Sequence, residues 1–170
     1  NSDLPVFVTT VFDEKGKMLT GGTVESVTAM LEGLRVDALG VNCGLGPLQL
    51  YPIVKQLREV CSLPIIVNPN AGLPHAKDGV TYYDLGAEEF AAEMKKIAEL
   101  GVHVLGGCCG TTPEHIRLEI EATRALPFEA PVNKHRAVVS SFSQTVELGK
   151  RPVIIGERIN PTGKKRFKEA

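Results

Sequence analysis

Gly106-Gly107-Cys108-Cys109-Gly110-Thr111-Thr112-Pro113 is the stretch that decides how this chain is read. An apolar run over residues 102–105 leads into it, two adjacent cysteines lie between glycines, and a helix start follows at once. The pattern predicts a strand that delivers two thiols into a strand-to-helix loop. Neighbouring side chains on a regular strand point to opposite faces, so both sulfurs reach one point only where the backbone turns irregularly, which glycine permits. Thr112 is a good N-cap and Pro113 suits the first helical position, which ends the loop sharply.

A second loop of the same form lies upstream. Gly40-Val41-Asn42-Cys43-Gly44-Leu45-Gly46-Pro47 again runs from apolar residues through cysteine and glycine to a proline at a helix start. If both loops leave the same end of a parallel sheet, three thiolates converge, and that is the donor set of a tetrahedral zinc site with one position open. Free cysteine also packs as a small core hydrophobe. That reading suits Cys61, which follows a helix away from any strand end, better than it suits the glycine-flanked pair. A disulfide between neighbours Cys108 and Cys109 would need strained geometry.

Working outward, residues 5–11, 38–42, 64–67 and 102–105 read as strands rich in apolar and β-branched residues. Thr23 caps a helix with Val24, Val27, Leu31 and Leu34 on one face. Residues 48–60 form a second helix, whose regular part is expected to begin only at Pro52. Residues 87–100 are the clearest helix, with Phe90, Met94, Ile97 and Ala98 opposite a charged face, and residues 113–126 form the last. Asn68-Pro69-Asn70-Ala71-Gly72 is a polar loop after the third strand. Residues 73–86 read as a long irregular segment, a lid or rim over the site. His103 reads as a core residue, and His115 as a hydrogen-bonding group at a helix start.

Four strand-helix repeats predict an α/β fold with a parallel sheet and right-handed crossovers. Four units are half of a (β/α)8 TIM-type barrel, whose complete form takes ~250 residues. An open doubly wound sheet would be complete at this length but lacks a glycine-rich phosphate loop after its first strand. From residue 127 the pattern changes to a linker, with a short apolar and serine stretch at 137–142. Residues 152–163 read as another strand entering a polar loop, before a basic helix start at 164–170.

The 170 residues are 43% hydrophobic and 23% charged, enough for one substantial core. A formal net charge of -1 argues against a nucleic-acid partner, which selects for a basic surplus. No apolar run approaches the ~20 residues of a membrane span, and Asn1-Ser2-Asp3-Leu4-Pro5 lacks the form of a signal peptide. Four cysteines in such a chain are expected to be reduced, in a cytoplasmic protein without a membrane partner.

Together, residues 38–47, Asn68-Pro69-Asn70-Ala71-Gly72, Gly106 to Pro113 with Glu114-His115, and Gly156-Glu157-Arg158-Ile159-Asn160-Pro161 resemble the cobalamin-dependent methionine synthases. The likeness is to the second half, four βα units, of their homocysteine-binding barrel, followed by a linker and the first strand of the pterin-binding barrel. It implies domain boundaries of 1–130 for the half-barrel, 131–151 for the linker and 152–170 for the start of the methyltetrahydrofolate-binding domain. It implies Cys43, Cys108 and Cys109 as Zn2+ ligands, catalytic through the metal. Asn70 is then a displaceable fourth ligand or homocysteine contact, and Glu157 and Asn160 belong to the folate site.

The same resemblance implies methylcobalamin bound by another module, with the cobalamin and folate domains of a parent chain and a missing N-terminal half-barrel as partners. The family's N-terminal Asp-Gly-Ala-x-Gly-Thr strand and the acidic residue that holds the substrate's amino group are absent. The chain is therefore expected to be cut from a longer polypeptide and inactive alone. Relatives that use betaine or S-methylmethionine as donor share the zinc barrel, so they remain the alternative. So does a non-catalytic module in which zinc only ties loops together.

Overall fold

The computed structural model describes residues 3–154 and residue 156. In chain order the elements are β1 (Phe7–Thr10), α1 (Val24–Gly33), β2 (Ala38–Asn42), α2 (Pro47–Val60), β3 (Ile65–Asn68), β4 (Pro74–Lys77) and β5 (Val80–Tyr83). They continue with α3 (Ala87–Ala98), β6 (Val104–Leu105), α4 (Pro113–Thr123), β7 (Ala137–Ser140) and β8 (Thr145–Leu148).

One parallel sheet runs in the order β1-β2-β3-β6, with Phe7 opposite Ala38, Leu39 opposite Ile65 and Ile66 opposite Val104. Each strand is added on the same side of the one before it. A doubly wound sheet reverses direction part-way, whereas unidirectional growth is how a barrel wall is laid down, so the architecture is that of a partial (β/α) barrel. Leu39, Val41, Ile65 and Val67 of the two central strands are almost wholly buried. The flanking helices supply Leu50, Ile53, Val54 and Leu57 from α2 and Phe90, Met94 and Ile97 from α3 to the same core.

Helix α1 begins where the Thr23 cap placed it. Thr23 Oγ1 accepts from the Ser26 amide at 3.2 Å, while Ser26 Oγ accepts from the Thr23 amide at 2.9 Å. This reciprocal pair satisfies two donors that the first helical turn would leave unbonded. Helix α2 departs from expectation: it starts at Pro47, and Pro52 lies inside it. An interior proline costs about 3 kcal/mol. Four aliphatic side chains on the same helix are buried, each contributing about 1.5–3 kcal/mol, and that sum outweighs the proline.

Two further corrections concern segments read as irregular. Residues 73–86 hold the antiparallel hairpin β4-β5, turned by Asp78 (φ 53°) and Gly79 (φ 78°). An Asp-Gly pair with both φ positive is the type I′ turn that matches strand twist. The expected linker, 131–151, carries a second hairpin, β7-β8. It packs on α1, where Ser26 Oγ donates to the Phe142 carbonyl at 3.0 Å. No strand is formed by the described residues from 152 onward, and Glu157 and Asn160 lie outside the described residues. Among the described residues no helix is long and apolar enough to cross a membrane.

Helix α4, which packs along α3, buries one carboxylate. Glu119 is 2% exposed, and its Oε1 has no hydrogen-bond partner. Burial lifts its pKa from the ordinary 4.5 to about 7. Between those values the folded chain holds a proton that the unfolded chain has released, so stability falls as pH rises through that window. A shift of this size corresponds to at most about 3 kcal/mol. Glu119→Gln is therefore expected to stabilise the chain at pH 8 by up to about 3 kcal/mol and to leave it nearly unchanged at pH 4. Urea unfolding at the two pH values measures this, and equal effects at both would contradict it.

Candidate metal centre

Strands β2, β3 and β6 end level with one another, because Asn42 pairs with Asn68 and Val67 with Leu105. The loops that follow them therefore emerge together at the C-terminal edge of the sheet, the edge at which barrel enzymes build their sites. The loop after β2 turns immediately. Cys43 has φ 59° and Gly44 φ 74°. The left-handed conformation costs a residue with a Cβ about 1 kcal/mol. Two backbone bonds hold it: the Cys43 amide donates to Asn68 O at 2.9 Å, and the Leu45 amide donates to Cys43 O at 2.8 Å.

The loop after β3 lies between the two cysteine loops and bonds to both. The Asn70 amide donates to Leu45 O at 3.0 Å, on the Cys43 side. On the other side the Cys108 amide donates to Pro69 O at 2.7 Å, and the Ala71 amide donates to Cys109 O at 2.9 Å. Asn70 itself is 2% exposed, and its Oδ1 accepts from the Cys109 amide at 3.2 Å. Thr111 completes the grip by donating through Oγ1 to Cys108 O at 2.7 Å.

These bonds bring the sulfurs of Cys43, Cys108 and Cys109 within 4.8 Å of one another. Cys43 and Cys109 are 3.6 Å apart, and Cys108 and Cys109 are 3.8 Å apart. Two sulfurs bound at about 2.3 Å to a tetrahedral zinc are separated by about 3.8 Å. Both separations fit that requirement closely, and the donor set, three soft thiolates, suits zinc. Cys43 and Cys108 are half-buried and Cys109 is exposed, so the cluster opens to solvent on one side.

The three thiols are electrostatically unequal. Burial pushes Cys108 up to about 11. Cys109 lies below its ordinary value, chiefly because of the neighbouring Cys43 thiol and also because of Cys108. Cys61 stands outside the cluster: it is 1% exposed, and burial pushes its thiol up to about 12, as for a packed core residue.

Two residues have structural positions worth setting against expectation. His115 accepts through Nδ1 from the Thr112 amide at 3.3 Å and lies 3.0 Å from Leu85 O through Nε2. It ties the helix start to the segment after β5. Tyr83 was not singled out from the sequence, yet it lies against the cysteine loop, where a Cβ on Gly110 would fall 2.5 Å from its ring. The Asp78-Gly79 turn was the available signal, since a hairpin there returns the chain to the site edge.

The sequence profile described as "Homocysteine S-methyltransferase" matches residues 1–122. Methionine synthase of Mycobacterium leprae is 36% identical over 176 aligned positions, and that of Mycobacterium tuberculosis is 35% identical. Both alignments cover 98% of this chain but only 14% of the relative, so the chain spans about a seventh of those proteins. The oxidised form of the Escherichia coli homocysteine methyltransferase MmuM superposes with a TM-score of 0.51 at 27% identity, covering 69% of this chain and 35% of that one. Its metallated form gives 0.50 at 27% identity, covering 68% and 34%. With the profile matched over more than half of its length, the chain belongs to the homocysteine S-methyltransferase family.

Proposed function

We propose that this chain carries the zinc-binding part of a site that transfers a methyl group to homocysteine, giving methionine. The observation that carries the reading is the three-sulfur cluster, open on one side, at the C-terminal edge of a partial barrel. Cys43, Cys108 and Cys109 would hold the ion, with one tetrahedral position left for substrate. When bound there, zinc keeps the homocysteine thiol deprotonated at neutral pH, where a free thiol of pKa near ~8.5 is mostly protonated.

Three cysteine thiolates give the loaded site a formal charge of -1. Their electron donation keeps the incoming sulfur nucleophilic enough to attack a methyl group. Asn70 is assigned a second task beside the site. Its Oδ1 holds the Cys109 amide beside the cluster, which supports a role as a homocysteine contact or displaceable fourth ligand.

The methyl donor separates two readings. A donor taken directly, as in the betaine- and S-methylmethionine-dependent relatives, is supported by the superposition on the Escherichia coli homocysteine methyltransferase. Methylcobalamin recharged from methyltetrahydrofolate is supported by the methionine synthase alignments. They run over 98% of the chain, past residue 122 where the family profile ends. In that second reading residues 152–170 open a folate domain, with Glu157 and Asn160 in its site. Either way the sheet needs more strands: Phe7 on β1 is 62% exposed, Val104 on β6 is 44% exposed, and both strands are sheet edges. An N-terminal half-barrel is the proposed complement.

Purified chain is expected to retain about one equivalent of zinc. Cys108→Ser should reduce this to background, and Cys61→Ser should leave it intact. Loss in both variants, or in neither, would contradict the ligand assignment. Calorimetric titration of the zinc-loaded chain with homocysteine should release about one proton per thiol bound. Homoserine, which lacks the sulfur, should not bind. Equal binding of the two would sink the proposal. Methionine formation, measured on the chain together with the strands that complete its barrel, separates the donors: turnover with S-methylmethionine or betaine supports the direct reading, and turnover only with methylcobalamin supports the other.

A further inference from the structure

Both ring nitrogens of His115 meet backbone groups, one on each side of the residue. Nε2 lies 3.0 Å from Leu85 O, a carbonyl that can only accept. Nδ1 lies 3.3 Å from the Thr112 amide, which can only donate. The two partners demand the same state of the ring, neutral with its proton on Nε2. His115 is 8% exposed, and the fully buried Phe90 stands edge-on to it with ring centroids 5.4 Å apart. Packing and two hydrogen bonds thus fix the imidazole together.

Followed outward, these bonds form a closed circuit through the cysteine loop. The Leu85 amide donates to Ala71 O at 3.1 Å, and the Ala71 amide donates to Cys109 O at 2.9 Å. His115 completes the path from Leu85 back to Thr112, three residues beyond Cys109. Two of the four bonds join main chain to main chain, and the other two belong to His115. Glycines at 106, 107 and 110 make the loop conformationally permissive, so its shape must come from the bonds made around it.

We propose that His115 is a positioning residue for the metal centre: by closing this circuit it holds the Cys108-Cys109 loop where both sulfurs meet Cys43. The inference rests on the zinc reading above and extends it to a residue outside the ligand set. A histidine that only capped α4 would need its bond to Thr112, as in a capping box, and not its bond to Leu85. The Leu85 bond is what ties the helix start to the rest of the site.

Cobalt(II) in place of zinc gives visible bands whose intensity reports the tetrahedral order of the sulfur ligands. His115→Asn keeps an acceptor for the Thr112 amide but is too short to serve Leu85 O, whereas His115→Gln can offer an acceptor to the one and a donor to the other. In His115→Asn and His115→Leu the bands are expected to weaken. Zinc affinity, measured by competition with a chromophoric chelator at fixed pH, is expected to fall by about tenfold in both. His115→Gln should restore bands and affinity, and circular dichroism checks that the variants stay folded. Nitrogen-15 NMR of the unmutated chain needs no variant: a proton on His115 Nε2 alone is expected, and a proton on Nδ1 overturns the inference. Unmoved bands and affinity in His115→Asn and His115→Leu, or equal losses in His115→Asn and His115→Gln, overturn it as well and leave the zinc reading standing. A wild-type chain that binds cobalt with no thiolate band overturns the zinc reading and this inference with it.

Discussion

Sulfur atoms from positions 66 residues apart lie 3.6 Å from each other, and the parallel register of three strands is what puts them there. Asn42 opposite Asn68 and Val67 opposite Leu105 bring the ends of β2, β3 and β6 into line. A slip of one residue in either pairing would move a whole loop and turn its side chains to the opposite face. The register is specified by burial, since Leu39, Val41, Ile65 and Val67 are enclosed between sheet and helices. Metal chemistry at one edge of the sheet thus depends on aliphatic packing in its middle.

Between sheet and sulfurs stands the loop after β3. Through Pro69, Asn70 and Ala71 it bonds to the Cys43 loop on one side and the Cys108-Cys109 loop on the other. Its continuation into β4-β5 carries Tyr83 back against Gly110 of the cysteine loop. A backbone in the left-handed region at Cys43 is tolerated because this lacing fixes the turn. The site is preorganised by main-chain hydrogen bonds, and side chains then need only to supply sulfur and tune it.

Much of this was legible beforehand, for reasons that can be given residue by residue. The two glycine-flanked cysteine loops announced themselves because their chemistry is written in consecutive residues, and Thr23 marked its helix because a cap is a local device. Pro52 misled, since a penalty of about 3 kcal/mol is outweighed by the tertiary burial of Leu50, Ile53, Val54 and Leu57. The β4-β5 hairpin was hidden by its short, exposed strands, although the Asp78-Gly79 turn was there to be read. The β7-β8 hairpin carries no such turn pair. It is held by contact with α1, including the Ser26 bond to Phe142 O, which no local pattern encodes. Tyr83 went unseen because Gly110, against which its ring lies, is brought to it only by the fold.

X-ray absorption at the zinc edge, recorded on the loaded chain with and without homocysteine, is the most direct test of the central claim. Three sulfur neighbours at about 2.3 Å plus one lighter ligand are expected at rest, becoming four sulfurs when homocysteine is added. A coordination sphere that is closed by four protein ligands and does not change with the thiol would contradict the account.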